Sequence, residues 1–317
     1  MAGETANTNQ HYVPQLLLRG FTTAADTDQV YVFDKRTGKV FITSTRNIGS
    51  ERGYYDLGGS VTLDSAMTRA DGITGGIINR IRERQSLAGL SNEDRGMLAG
   101  FVVLQFLRTR GFQELTRHMA ETVLARIEEM VGQVPREWNE ELAPEKAKED
   151  YLRTIPEFTK DFLPHLLNKD LLLYKTETKV PFCISDNPVA LYNTVNPGDG
   201  IRGTIGFGVE GIEIYLPISS ELTLSYICPS IGESLQSVNE TLQRLGGFIS
   251  EDAFYYLQAR DTGKALKMIP DNVRFHNWLQ VRYAERFIIS SEENFADAAD
   301  IIAQNPAARF GPRMGAR

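Results

Sequence analysis

The sequence predicts an α+β fold. Helical patterning is gathered between residues 91 and 173, while strand-like runs lie before it, at 29–43, and after it, from residue 180 onward. Strands and helices do not alternate regularly along the chain, as a doubly wound parallel sheet would require. The expected organisation is one domain over residues 1–304, with 91–173 as its helical layer and 305–317 as a flexible basic tail.

In chain order, QVYVFDKRTGKVFIT predicts a hairpin, with arms Gln29–Phe33 and Lys39–Thr43 joined by a polar turn containing Gly38. From Leu63 to Arg84 the pattern loosens around Gly72, Gly75 and Gly76, although Ile77, Ile78 and Ile81 still mark a helix. Ser91-Asn92-Glu93-Asp94 has the make-up of a helix cap, with acids in the positive first turn. The following segment carries apolar residues on nearly every face (Leu98, Phe101, Val102, Leu104, Phe106), which assigns it to the core. Residues 118–161 hold eleven acids against six bases and read as a solvated helical layer interrupted at Pro135, Pro144 and Pro156. VPFCIS, IEIYLPIS and LTLSYIC are strand-like, with a glycine-rich connection at 196–211 between the first two. Leu235, Val238, Leu242 and Leu245 form a helical stripe ended by Gly246-Gly247. AFYYL and FIIS read as strands, with a helix near Trp278–Arg286 between them.

Composition narrows the function. Lys and Arg number 34 against 41 Asp and Glu, a net charge of −7 that excludes a chain coated in positive charge for packaging nucleic acid. Residues 35–117 nevertheless carry thirteen bases against eight acids, a local surplus able to attract a phosphate-bearing ligand. The longest apolar stretch, Met97 to Leu107, is 11 residues, whereas a membrane span needs about 20. The polar opening MAGETANTNQ lacks the apolar centre of a signal peptide, so the expectation is a soluble, cytoplasmic chain without membrane partners. Cys183 and Cys228 sit among apolar neighbours and read as buried thiols.

Several polar residues could carry chemistry. His11 lies in the segment His11-Tyr12-Val13-Pro14, and its imidazole suits proton transfer near neutrality. Asp34 and Lys35 stand where a strand enters the hairpin turn, so Asp34 could equally cap that turn. Asp186 and Asn187 follow a buried-looking strand, and Pro188 holds Asn187 extended at a sheet rim, where ligand sites often form. Gln105 and Arg108 interrupt the apolar helix. A buried guanidinium requires a partner, either an anionic ligand or a carboxylate such as Asp34, Glu51 or Asp186, and Arg19 invites the same argument. An all-carboxylate Mg²⁺ site could use Asp34, Glu51 or Asp186. No HExxH or Cys/His cluster, GxSxG or P-loop motif is present, and the GxGxxG spacings at Gly198-Gly200-Gly203 and Gly206-Gly208-Gly211 do not open an obvious helix as a dinucleotide fingerprint would.

The opening HYVP, the hairpin YVFDK with Thr37-Gly38-Lys39, the run LQFLRT at 104–109, SDNPV at 185–189 and LPI at 216–218 together resemble a domain-of-unknown-function family. The likeness extends over roughly residues 11–260 and implies one folded unit without assigning a reaction. The chain departs from the family's pattern at 63–84, where Asp64 and Asp71 stand in a glycine-rich setting in place of paired acids. Polar residues at strand ends together with unpaired-looking arginines give the expectation of a hydrolase, or more narrowly a nuclease, acting on a phosphate-containing small molecule or nucleic acid. His11, Asp34 and Asp186 would be catalytic; Arg19, Lys35, Gln105, Arg108 and Asn187 would bind substrate. The alternative is a non-catalytic module that binds or senses an anionic ligand, for instance in cellular defence.

Overall fold

The computed structural model describes residues 9–57, 62–132, 138, 144–177, 179–195 and 205–312. The fold is α+β. It opens with a short strand, β1 (Asn9–His11), paired antiparallel with β4 (Ser50–Arg52) so that His11 lies opposite Ser50. Between them come α1 (Gln15–Leu18), which buries Leu17 and Leu18, and the hairpin β2 (Gln29–Asp34) and β3 (Lys39–Ser44).

The helical layer follows. α2 (Asp64–Arg84) runs unbroken through the three glycines expected to loosen it, because Ile77, Ile78 and Ile81 are wholly or almost wholly buried and tertiary packing outweighs local propensity. α3 (Asn92–Leu107) starts with the anticipated cap: Ser91 Oγ accepts from Asp94 N at 3.0 Å, and Asp94 Oδ2 accepts from Ser91 N at 3.1 Å. α4 (Arg110–Val131) begins at Thr109. α5 (Pro144–Leu167) continues through Pro156, where interruption was expected, and through Pro164, with Leu152 and Ile155 anchored in the core.

Five strands form one sheet in the order β10-β5-β9-β8-β7, comprising β5 (Asp170–Thr176), β7 (Ala190–Asn193), β8 (Ile212–Pro217), β9 (Leu222–Ile227) and β10 (Leu266–Met268). A second sheet, β3-β2-β11-β6, places β11 (Phe287–Ser290) between the early hairpin and β6 (Ile184–Ser185). Only these last two residues of VPFCIS join a sheet. The preceding stretch is instead pinned by the Asn277 amide, which accepts from Cys183 N and donates to Pro181 O, both at 2.9 Å.

α6 (Pro229–Arg244) precedes α7 (Glu251–Thr262), and α7 absorbs the AFYYL segment expected as a strand. Ser250 Oγ accepts from Ala253 N, and Glu251 and Asp252 occupy the positive first turn, so the local cap overrides the β preference of the aromatic residues. α8 (Pro270–Tyr283) starts earlier than its apolar pattern indicated, and α9 (Ala296–Gln304) follows β11. The expected loose tail is docked as far as residue 312: Ala308 is buried, and Gly311 N donates to Glu285 Oε2 at 3.3 Å. Most of the glycine-rich connection, 196–204, lies outside the described residues. The main core joins Val13 and Leu17, α2, α3 and the five-stranded sheet; a smaller cluster around Phe33, Val281 and Phe295 lies under α9.

Candidate functional site

Alternation along β1 buries Gln10 and turns His11 to the opposite face, where it meets α2 across a cavity of about 560 Å³. Asp64, Thr68, Asp71, Gly75 and Asn79 line its helical wall. Steps of three and four residues place all five on one stripe of the helix. Gly72 and Gly76 complete that wall, and a Cβ added at either would find no atom within 4 Å. Two mid-helix glycines therefore leave room in front of α2 without serving any close packing contact.

His11 Nε2 lies 3.3 Å from Thr45 O. Burial lowers the imidazole pKa, opposed by the Thr45 bond and by Asp71 and Asp64, so the ring is neutral at pH 7. Burial raises the Asp64 pKa, and the nearby charges of Asp56 and Asp71 push it in the same direction.

Behind Asp71 sits the fully buried Arg108. Its Nη2 donates to Asp71 Oδ1 and its Nε to Gln105 Oε1, both at 2.8 Å. Gln105 Nε2 donates to Tyr12 O at 3.0 Å, and the guanidinium carbon stands 5.5 Å from the Phe101 ring centroid. Burial acts to lower the Arg108 pKa, but Asp71 and Tyr55 outweigh it and keep the group firmly charged. Tyr55 Oη in turn donates to His11 O at 3.1 Å. Asp71 was not among the partners expected for Arg108. Glu51 pairs with Arg110 at 2.6 Å, while Asp34 and Asp186 are bound elsewhere. The seven-residue spacing of Asp64 and Asp71 was the available signal for a shared carboxylate face.

The other expected site residues form a structural latch outside this cavity. Asp186 Oδ1 accepts from Glu285 N at 2.8 Å; its Oδ2 accepts from Arg286 N at 2.8 Å and Phe287 N at 3.0 Å. Burial pushes its pKa up, opposed by those N–H groups and by Lys35. Asp34 Oδ1 accepts from Arg36 N at 2.9 Å and its Oδ2 from Arg286 Nη2 at 2.8 Å; burial works against its charge, but these donors hold its pKa below the ordinary value. Lys35 is buried and donates to Val281 O at 2.7 Å and Ala284 O at 2.5 Å, closing the C-terminal end of α8. Asn187 Oδ1 accepts from Thr109 Oγ1 at 2.7 Å, and its Nδ2 donates to Tyr283 O at 3.1 Å. Gly111 makes room for this amide, since a Cβ there would collide with it.

The anticipated meeting of His11, Asp34, Arg108 and Asp186 in one cavity is therefore corrected. His11 and Asp71, with Gln105 and Arg108 behind, form one constellation; Asp34, Lys35, Asp186 and Asn187 fasten the hairpin, β6 and the α8–β11 turn. Arg19 is exposed, reaches back to Gln15 Oε1 at 3.4 Å and does not line the cavity. The Mg²⁺ set of Asp34, Glu51 and Asp186 is likewise separated among these partners. Among the described residues no group of three or more His, Cys, Asp and Glu could hold a metal ion.

The basic surplus at 35–117 is largely committed within the fold. Arg36 meets Glu285 and Arg80 meets Asp94, Arg117 meets Glu114, and Arg82 donates to the carbonyls of Leu16 and Ile218. No Lys or Arg lines the His11 cavity among the described residues.

The family model described as Protein of unknown function (DUF4238) matches residues 9–294. The chain belongs to this family. The DUF4238 match runs from β1 past β11 and so contains both the cavity and the latch. No curated protein and no solved structure matches the chain. Among the described residues no helix is long and apolar enough to cross a membrane.

Proposed function

We propose that this DUF4238 protein is a hydrolase whose reaction centre is the cavity between β1 and α2. One observation carries the reading: the His11 imidazole and the Asp64 and Asp71 carboxylates line the same recess. A neutral imidazole at pH 7 can take the proton of an attacking water. Asp71, oriented by a buried arginine, is held in one direction, as a reaction centre requires.

The preferred substrate class is a phosphate ester, including nucleotides and nucleic-acid strands. With Asp64 facing the recess and no cation lining it among the described residues, a bare phosphate would be repelled. The substrate would enter with Mg²⁺ or Mn²⁺, which needs only one or two carboxylates and retains water. Asp64 and Asp71 stand about 10 Å apart along α2, so one carboxylate, that of Asp64, would hold the cation with water completing its shell, and the cation would neutralise charge on the phosphoryl oxygens. His11 would accept the water proton as the new P–O bond forms and the bond to the leaving oxygen breaks. The same lack of lining cations argues against a metal-free receptor for anions.

The test is incubation of the purified chain with RNA, DNA and nucleotides in Mg²⁺ or Mn²⁺, and in EDTA. The expected result is metal-dependent turnover reduced at least about 100-fold in His11→Ala and Asp64→Asn. Failure to turn over any of these substrates, or turnover insensitive to both substitutions, refutes the proposal.

A further inference from the structure

A second, smaller pocket of about 190 Å³ lies beneath α9, apart from the His11 cavity. α8 supplies Asn277, Trp278 and Val281; β11 supplies Ile288; the α9 segment supplies Phe295, Ala298 and Ile301. Cys183 also lines it, and burial pushes that thiol to about 12, so it is uncharged at pH 7. The Asn277 amide already spends both ends on the 181–183 backbone and adds no free charge.

The rim carries Lys179 and Arg274 against Glu292 and Asp297, two charges of each sign. That balance favours neither an anion nor a cation. The surrounding frame is well tied. Phe295 stacks on Phe33 with centroids 5.7 Å apart, Arg274 Nε approaches Asp297 Oδ2 at 3.9 Å, and Ala298 and Ile302 are buried. The space is therefore not slack beneath a fraying helix. Protein interiors are ordinarily close-packed, and an apolar cavity of about 150 Å³ suffices to hold benzene.

We propose that this pocket is a binding site for a small uncharged molecule built on one aromatic ring, with the ring against Trp278 and Phe295 and a polar substituent at the rim. Its α9 wall begins beyond residue 294, so it lies outside the stretch matched by the family. The site is independent of the hydrolase reading.

The probe is benzyl alcohol, compared with benzoate and benzylammonium. Binding is followed by Trp278 fluorescence in full-length Trp138→Phe protein, since the chain has only these two tryptophans. Saturable binding of the alcohol is expected, at least about tenfold weaker for either ion, because each would give up hydration at a rim whose two charges of each sign offer no net compensation. Filling the pocket with Ala298→Leu should abolish the signal. Should that variant fail to fold, the same question is answered in otherwise wild-type protein: benzyl alcohol should slow modification of Cys183 by a small thiol reagent and leave Cys228 unaffected. No saturable signal, equal affinity for the charged analogues, binding that survives in folded Ala298→Leu, or unprotected Cys183 overturns the proposal.

Discussion

Replacing Gly72 and Gly76 with alanine should make the protein more stable. Both glycines are exposed in the interior of α2, and neither position has an atom within 4 Å of an added Cβ. Glycine in a helix interior is less favourable than alanine by about 0.8–1.0 kcal/mol, so the pair should gain about 2 kcal/mol. At roughly 2 °C per kcal/mol for a chain of this size, the melting midpoint should rise by about 4 °C. Urea unfolding and calorimetry read both quantities. A leucine pair at the same positions should retain most of the gain, because leucine is also a good helix former, but would fill the recess. Turnover or ligand binding in the His11 cavity should therefore fall as stability rises. A destabilised alanine pair would refute the idea that these glycines are locally unfavourable. A leucine pair with full activity would refute the assignment of function to this cavity.

Three other outcomes follow from the same contacts. Asp71→Ala should cost about 3–5 kcal/mol in urea unfolding, because it strands a fully buried guanidinium; Arg108→Met should cost less, since the Asp71 side chain is 19% exposed and can be solvated. Asp186→Asn should cost at least about 3 kcal/mol by weakening charge-assisted bonds to three backbone N–H groups, with turnover per folded molecule unchanged. His276 is buried among aromatic rings, and burial lowers its pKa from 6.5 to about 4. The unfolded chain therefore takes up a proton between those values while the folded chain does not. Its contribution is intact above pH 6.5 and is lost as pH falls towards 4, by about 3 kcal/mol. Unfolding free energy measured against pH should lose this slope in His276→Gln.

Much of the fold was legible because its signals are short-range. The β2–β3 hairpin needs only alternation around a turn, and the start of α3 needs only Ser91 and Asp94, whose mutual bonds span three residues. AFYYL was misread because aromatic residues fit strands, while the deciding bond comes from Ser250 just outside the segment. The interruption expected at Pro156 does not occur, because contacts from distant parts of the core, made by Leu152 and Ile155, hold α5 through that position.

The site divides along the same line. That Arg108 must find a partner was readable, because a charge cannot remain alone in an apolar helix. The identity of that partner was not, since Asp71 is 37 positions away and reaches Arg108 only through the packing of α2 on α3. Asp34 and Asp186 looked like catalytic acids because a carboxylate at a strand end has the same sequence whether it faces a substrate or backbone N–H groups. Residue type, local periodicity and the unfavourable burial of charge were set by the linear chain. Which acid met which donor, and which faced open space, was decided only by tertiary packing, because those pairings depend on where distant segments come to lie.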